Sequence, residues 1–124
     1  MELRKIGKTD ITVSVLGLGG APLGGNFVTL TDTVASNIVL EAISSGLNYF
    51  DTAPWYGFGR SEHTVGNMIR GKNLKISTKV GRLLKPGAVL KPENYGMIDP
   101  LPFHPIYDYS YDGIMRAHQD SLQR

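Results

Sequence analysis

Asp51, Tyr56 and Lys79 are the residues whose types and placing best suit chemistry. Asp51 follows the apolar run 47–50, Tyr56 stands in the Pro- and Gly-containing stretch 54–60, and Lys79 comes near the end of the run 75–80. If both runs are neighbouring parallel strands, their C-terminal ends share one face of the sheet, where the active sites of βα folds form. Strands about 5 Å apart bring an aspartate and a lysine within ion-pair reach. A cation beside a tyrosine favours the phenolate over the phenol, whose ordinary pKa is about 10. A tyrosine so placed is a general acid or base. The same residues also fit a structural Asp–Lys pair with an unconnected loop tyrosine, and pattern alone leaves both readings open.

Other motifs carry less. The turn Gly17-Leu18-Gly19-Gly20-Ala21-Pro22 lacks the third glycine of a dinucleotide-binding turn, Pro22 standing in its place. It reads either as a strand-end turn or as a backbone lining for a ligand pocket. The stretch 66–73 nearly spells a phosphate-binding loop, but Asn73 replaces the required Ser/Thr. It also lies within and after an expected helix, where such a loop precedes one, so Gly71 reads as a helix stop. His63, His104 and His118 show no metal-ligand spacing, and no metal site is expected. A GxSxG nucleophile motif is missing.

The elements that must position Asp51, Tyr56 and Lys79 are legible from periodicity and turn residues. Residues 2–14 read as a hairpin turning at Gly7-Lys8-Thr9-Asp10. Residues 15–19 read as a buried strand, followed by a Gly-rich loop over 21–30. Residues 31–45 read as a helix capped by Thr31 or Asp32 and stopped by Gly46, and 47–50 as the next strand. A second helix is expected over 61–70 with Ser61 as its N-cap, then a strand over 75–80. The stretch 81–109 holds five of the seven prolines and is expected to be long and irregular. Ser110 caps a third helix whose buried stripe is expected at Ile114/Met115, His118 and Leu122. Strands alternating with helices imply an α/β fold with a parallel sheet.

Composition narrows the classes. Thirteen Lys/Arg against eleven Asp/Glu give a net charge of +2 with no basic run, so nucleic acid is not an expected partner. No cysteine rules out disulfides, thiolate metal sites and a cysteine nucleophile. No stretch approaches the roughly 20 apolar residues that span a bilayer, and the first residues lack the apolar core of a signal peptide. A cytoplasmic protein, with no membrane partner, is the expectation. Fifteen glycines, grouped at 17–25 and 57–71, point to tight turns beside surfaces of close approach.

The motifs DTAPWYGFGRSE (51–62), STKVGRLL (77–84) and YDYSYDGIMRAHQDSLQR (107–124), with the opening hairpin and LGLGGAPLGG (16–25), resemble the aldo-keto reductases. The likeness is greatest to their aldose, fucose, galactose and pyridoxal dehydrogenase subgroup. It implies a (β/α)8 TIM barrel with a hairpin closing its bottom, and NAD or NADP at the strand C-termini. It implies a catalytic tetrad of Asp, Tyr, Lys and His, of which Asp51, Tyr56 and Lys79 occupy three places. Tyr56 would exchange a proton with the substrate oxygen, Lys79 would assist it, and Asp51 would hold Lys79. Gly20, Ala21 and Asp51 would border the nicotinamide, and Trp55 and Tyr56 a small carbonyl or sugar substrate. A barrel needs about 250 residues, so these 124 are expected to be its N-terminal part, ending before the fourth strand. The family histidine and the main cofactor contacts would lie beyond. A catalytically inert fragment, self-associating through an open sheet edge, is the alternative.

Overall fold

The computed structural model describes residues 1–26, 28–89 and 91–124. Phe27, within the expected Gly-rich loop, and Leu90, within the expected irregular stretch, lie outside the described residues.

The hairpin forms as its sequence demands. β1 (Leu3–Lys5) pairs antiparallel with β2 (Thr12–Ser14), and Gly7 supplies a φ of +55° at the turn. Asn48 fastens this hairpin to the sheet. The Ser14 N–H donates to Asn48 Oδ1 at 2.6 Å, and the Asn48 N–H donates to Ser14 Oγ at 3.0 Å. Asn48 immediately precedes β4, so the hairpin sits at the opposite end of that strand from Asp51.

Three parallel strands follow: β3 (Leu18–Gly19), β4 (Tyr49–Asp51) and β5 (Lys75–Ser77), in that order across the sheet. Gly19, Asp51 and Ser77 stand opposite one another. The strands are shorter than the apolar runs suggest. Among the described residues β3 and β5 each have one free edge, so their ladders stop where the pairing with β4 stops.

α1 (Asp32–Ser44) and α2 (Arg60–Ile69) join the strands. Thr31 Oγ1 accepts the Val34 N–H at 3.3 Å, the expected cap, and Gly46 at φ +86° ends the helix path. Ala35 and Val39, one turn apart, meet Leu23, Phe50 and Val65 in the buried core. Phe50 is completely buried between its polar neighbours Tyr49 and Asp51. Strand alternation therefore turns Phe50 to the helices and Asp51 to the other face.

Three expectations are corrected. First, Ser61 is not the N-cap of α2. Gly59, at φ +97°, holds that place, and the Ser61 hydroxyl is buried in other bonds. Second, the stretch 81–109 is not irregular throughout. β6 (Arg82–Pro86) pairs antiparallel with β7 (Phe103–Tyr107), Leu84 facing Pro105. Prolines suggested a break, but a two-stranded ribbon has outward N–H positions on both strands, where proline is tolerated. Third, α3 (Tyr111–Gln123) starts at the expected Ser110 cap, whose Oγ accepts the Gly113 N–H at 3.1 Å, yet its stripe differs. Gly113 and Ala117 are buried, while Met115, His118 and Leu122 are exposed. The helix approaches its neighbours through its smallest residues, with Ile114 half-buried and Met115 and Leu122 left outside.

Candidate active site

The C-terminal ends of β4 and β5 bring Asp51 and Lys79 together. Lys79 Nζ donates to Asp51 Oδ2 at 2.7 Å and to the Thr52 carbonyl at 2.9 Å. The Thr52 N–H in turn donates to the Ser77 carbonyl at 2.8 Å, which carries the β4–β5 pairing one step past the strand end. Lys79 Nζ also lies 4.8 Å from the centre of the Tyr56 ring. Asp51, Lys79 and the Tyr56 ring thus lie in one cluster.

The electrostatics follow from the contacts. Burial raises the Asp51 carboxyl, but hydrogen bonds from Lys79 and Ser77 and the lysine charge outweigh it and hold it below the ordinary carboxylate range. Burial lowers the Lys79 ammonium, but hydrogen bonding and charge from Asp51 and Tyr56 outweigh that and raise it above the ordinary lysine value. Both groups stay charged at neutral pH, leaving a fixed cation beside the tyrosine.

The loop between β4 and α2 delivers Tyr56 by an unusual backbone. Gly57, Phe58 and Gly59 take φ values of +65°, +50° and +97° in succession. Glycine reaches this region freely, whereas Phe58 is strained there and is held by complete burial. Gly24 and Gly57 are packed backbone to backbone. A Cβ on Gly24 would collide with the Tyr56 carbonyl, and one on Gly57 with Gly24. Two missing side chains therefore let the turn after β3 clamp the backbone of Tyr56.

Gly20 and Ala21 belong to that same turn. Gly20 is buried, its N–H donating to the Asp51 carbonyl at 2.7 Å and its carbonyl accepting from Ser61 Oγ at 2.8 Å. Ser61 spends its single hydrogen there, so Thr52 Oγ1 donates to Ser61 at 2.9 Å. This buried line ties the ends of β3 and β4 to the start of α2. Gly20 thus acts through packing, and Ala21, half-buried, lies beside it. Gly19, opposite Asp51, has open space where a Cβ would stand. The bare floor at Gly19 beside Asp51 fits the flat nicotinamide ring of a dinucleotide. The stretch 66–73 offers no phosphate cradle, since Gly66 lies inside α2 and Gly71, at φ +76°, ends it.

Trp55 is half-buried in an aromatic group with Phe58 at 5.8 Å and Tyr95 at 5.7 Å between ring centres. The Arg82 guanidinium lies over its face at 4.3 Å. The β6–β7 ribbon is thereby anchored next to Tyr56. His63, His104 and His118 do not join the cluster. His118 lines a groove of about 410 Å³ between α2 and α3, His63 lines a smaller one beside α2, and His104 Nδ1 meets the Gly87 carbonyl. The larger groove follows the free edge of β5, past Ile76 and Val80.

Sequence reading passed over Ser77 and Glu62. Glu62, buried on α2, accepts from Thr78 Oγ1 and from Arg124 Nε, each at 2.6 Å, and so holds the residue before Lys79. Its only signal was a charged residue in an otherwise core-forming helix turn.

Residues 15–124 match the model of the Aldo/keto reductase family. The chain belongs to the aldo/keto reductase family. Among curated aldo-keto reductase relatives it is 44% identical to a pyridoxal 4-dehydrogenase of Microbacterium luteolum, covering 99% of this chain and 39% of that protein. It is 32% identical to a D-threo-aldose 1-dehydrogenase of a Pseudomonas species (92% and 37% covered) and 37% identical to an L-galactose dehydrogenase of Arabidopsis thaliana (100% and 34%). Its fold is similar to that of a glycerol dehydrogenase from Gluconobacter oxydans, with a TM-score of 0.70 at 26% identity, covering 98% of this chain and 35% of that one. It is similar also to an aldo-keto reductase from Bacillus halodurans, with a TM-score of 0.70 at 31% identity (99% and 36%). The chain spans 34–39% of the length of the three curated relatives. The aldo-keto reductase structures are TIM barrels, and this chain is the N-terminal portion of one. The family generally uses NAD(P)H.

Proposed function

We propose that the whole protein is a nicotinamide-dependent oxidoreductase acting between a carbonyl and an alcohol carbon, with a sugar or lactol-like substrate. The observation that carries this is the cluster itself: Lys79 Nζ stands 2.7 Å from Asp51 and 4.8 Å from the Tyr56 ring centre, at the strand C-termini of an aldo-keto reductase. Tyr56 gives its hydroxyl proton to the substrate oxygen in reduction, or takes it back in oxidation. Lys79 stabilises the phenolate left behind, and Asp51 keeps Lys79 in place and charged. Gly20, Ala21 and Asp51 border the nicotinamide, and Trp55 with Tyr56 borders the substrate. NAD or NADP, when bound, supplies or accepts the hydride. A cytoplasmic setting suits such an enzyme made without cysteine.

The test is nicotinamide absorbance with the intact protein, NAD and NADP each tried against pyridoxal, L-galactose and D-threo-aldoses. Turnover with one of these, lost in Tyr56→Phe without loss of fold, is expected. No turnover with any of them, or full turnover in Tyr56→Phe, would sink the reading.

A second reading concerns the 124 residues by themselves. None of the three histidines joins Tyr56 among the described residues, so in isolation the chain is expected to be inert. The free edge of β5, with Ile76 47% exposed, supports self-association of that isolated piece.

A further inference from the structure

Asp51 has two carboxylate oxygens, and Lys79 takes only one of them. Oδ1 accepts instead from Ser77 Oγ at 2.6 Å, across the β4–β5 ladder. Ser77 Oγ lies 2.9 Å from the hydroxyl of Tyr49, two residues before Asp51 on the same face of β4. Geometry alone leaves the donor in this second contact open, but counting hydrogens decides it. An ionised carboxylate only accepts, so Ser77 donates to Asp51. That uses the one hydrogen Ser77 has. Tyr49 must therefore donate to Ser77. The bonds run in one direction, from Tyr49 through Ser77 to Asp51 Oδ1, while Lys79 approaches Oδ2 from the other side.

Among the described residues, the surroundings leave this line without a competitor. On the far side of β4, β3 presents Gly19 opposite Asp51, with no side chain. Gly17 leaves room for the Tyr49 ring, since a Cβ there would stand 2.8 Å from Tyr49 Cδ1. Lys75 pairs with Tyr49 in register, but its Nζ is bonded to Asn73 Oδ1 at 2.7 Å. The titratable groups facing Asp51 are thus Lys79 directly, Tyr56 through Lys79, and Tyr49 through Ser77.

We propose that Ser77, held by Tyr49, is a positioning residue of the catalytic cluster: it pins Asp51 Oδ1 so that Oδ2 points at Lys79 and fixes the lysine charge beside Tyr56. This rests on the reading of Tyr56 as acid–base group. Ser77 touches neither substrate nor cofactor and acts through Asp51. Without it the carboxylate is free to rotate, Lys79 keeps the Thr52 carbonyl but loses a fixed Asp51 partner, and the carboxyl loses one of the bonds that favour its ionised form.

The experiment uses the intact protein and the variants Ser77→Ala, Ser77→Thr, Tyr49→Phe and Tyr56→Phe. Ser77→Ala is expected to lower kcat by roughly 10- to 100-fold, the scale of a displaced catalytic group, with KM changed by less than about threefold. The acid limb of its kcat/KM profile moves to higher pH. Ser77→Thr, which keeps the hydroxyl, restores kcat to within about threefold of the parent, and Tyr49→Phe moves both readouts in the Ser77→Ala direction by less. Independently of turnover, the 13C titration of the Asp51 carboxyl moves up in Ser77→Ala and back in Ser77→Thr. Unchanged kcat, pH profile and carboxyl titration in Ser77→Ala would overturn the proposal while an inactive Tyr56→Phe still upheld the site. If Tyr56→Phe were fully active, the site reading would fail, and with it the positioning role, whatever the carboxyl titration showed. Should Ser77→Ala not fold, Tyr49→Phe decides: unchanged profile and titration there overturn the proposal.

Discussion

Asp51 and Lys79 hold each other charged, and the direction of each shift sets the pH range over which that helps the fold. The Asp51 carboxyl lies below its ordinary value in the folded chain. Its contribution is present above the ordinary carboxylate range and is lost as the pH falls through the lowered value. Lys79 lies above its ordinary value. Its contribution is complete below the ordinary lysine range and is lost as the pH rises through the raised value. Both contributions are therefore present between about pH 4 and pH 10. The side chains are 38% and 48% exposed, so solvent screening keeps the pair's share of stability under about 1 kcal/mol. Urea midpoints of the parent and Asp51→Asn should differ at pH 6, and the gap should narrow at pH 3, below the ordinary carboxylate range. An equal gap at both pH values would show that the pair contributes nothing.

At the scale of elements, Gly57 in the Tyr56 loop and Gly71 after α2 are glycines for different reasons, and two substitutions separate them. Gly71→Ala meets open space and only the cost of φ +76°, about 1 kcal/mol. Gly57→Ala meets a similar φ and the backbone of Gly24 as well, and should cost about 2–4 kcal/mol. Chemical denaturation of both variants checks the contrast, and equal losses would mean that the turn yields. The helix starts offer a simpler case. Ser110→Ala removes the acceptor of the Gly113 N–H and should cost about 1 kcal/mol. That cap, Thr31, Gly46 and Gly71 were all legible in the sequence, because capping and stopping involve residues within one turn of each other. The β6–β7 ribbon was not legible, because its prolines carry a local signal for breaking and only the partner strand shows that they sit where no bond is needed.

For the molecule as a whole, α1 and α2 cover one face of three parallel strands, and Phe50 lies at the centre of what they enclose. Phe50→Ala should cost about 3–5 kcal/mol, the range for an aromatic side chain removed from a closed core. No described helix is long and apolar enough to cross a membrane. The free edge of β5 and the groove beside it carry exposed Ile76, Val80 and Leu122. If copies of the isolated 124-residue piece associate there, Ile76→Lys should shift sedimentation toward monomer, since a charge on a strand edge opposes pairing. A monomer in both forms would remove that edge from consideration. The expected stripe on α3 shows why the whole matters: Leu122 has the right spacing for burial but borders the groove rather than the core.

The sequence by itself determined which groups were available and where the chain turns. The aspartate after one apolar run, the lysine after the next and the tyrosine between them follow from order and periodicity, both short-range properties. Tertiary structure alone decided which hydroxyl serves which partner. Ser61 has the type and place of a helix cap, yet its hydrogen goes to Gly20 because α2 begins one residue earlier and turns Ser61 into the core. Ser77 looks like any polar strand residue until the register places it opposite Asp51. A hydroxyl bonds whatever comes within about 3 Å, and that neighbour is set by strand register and helix packing, not by the residues on either side in the chain.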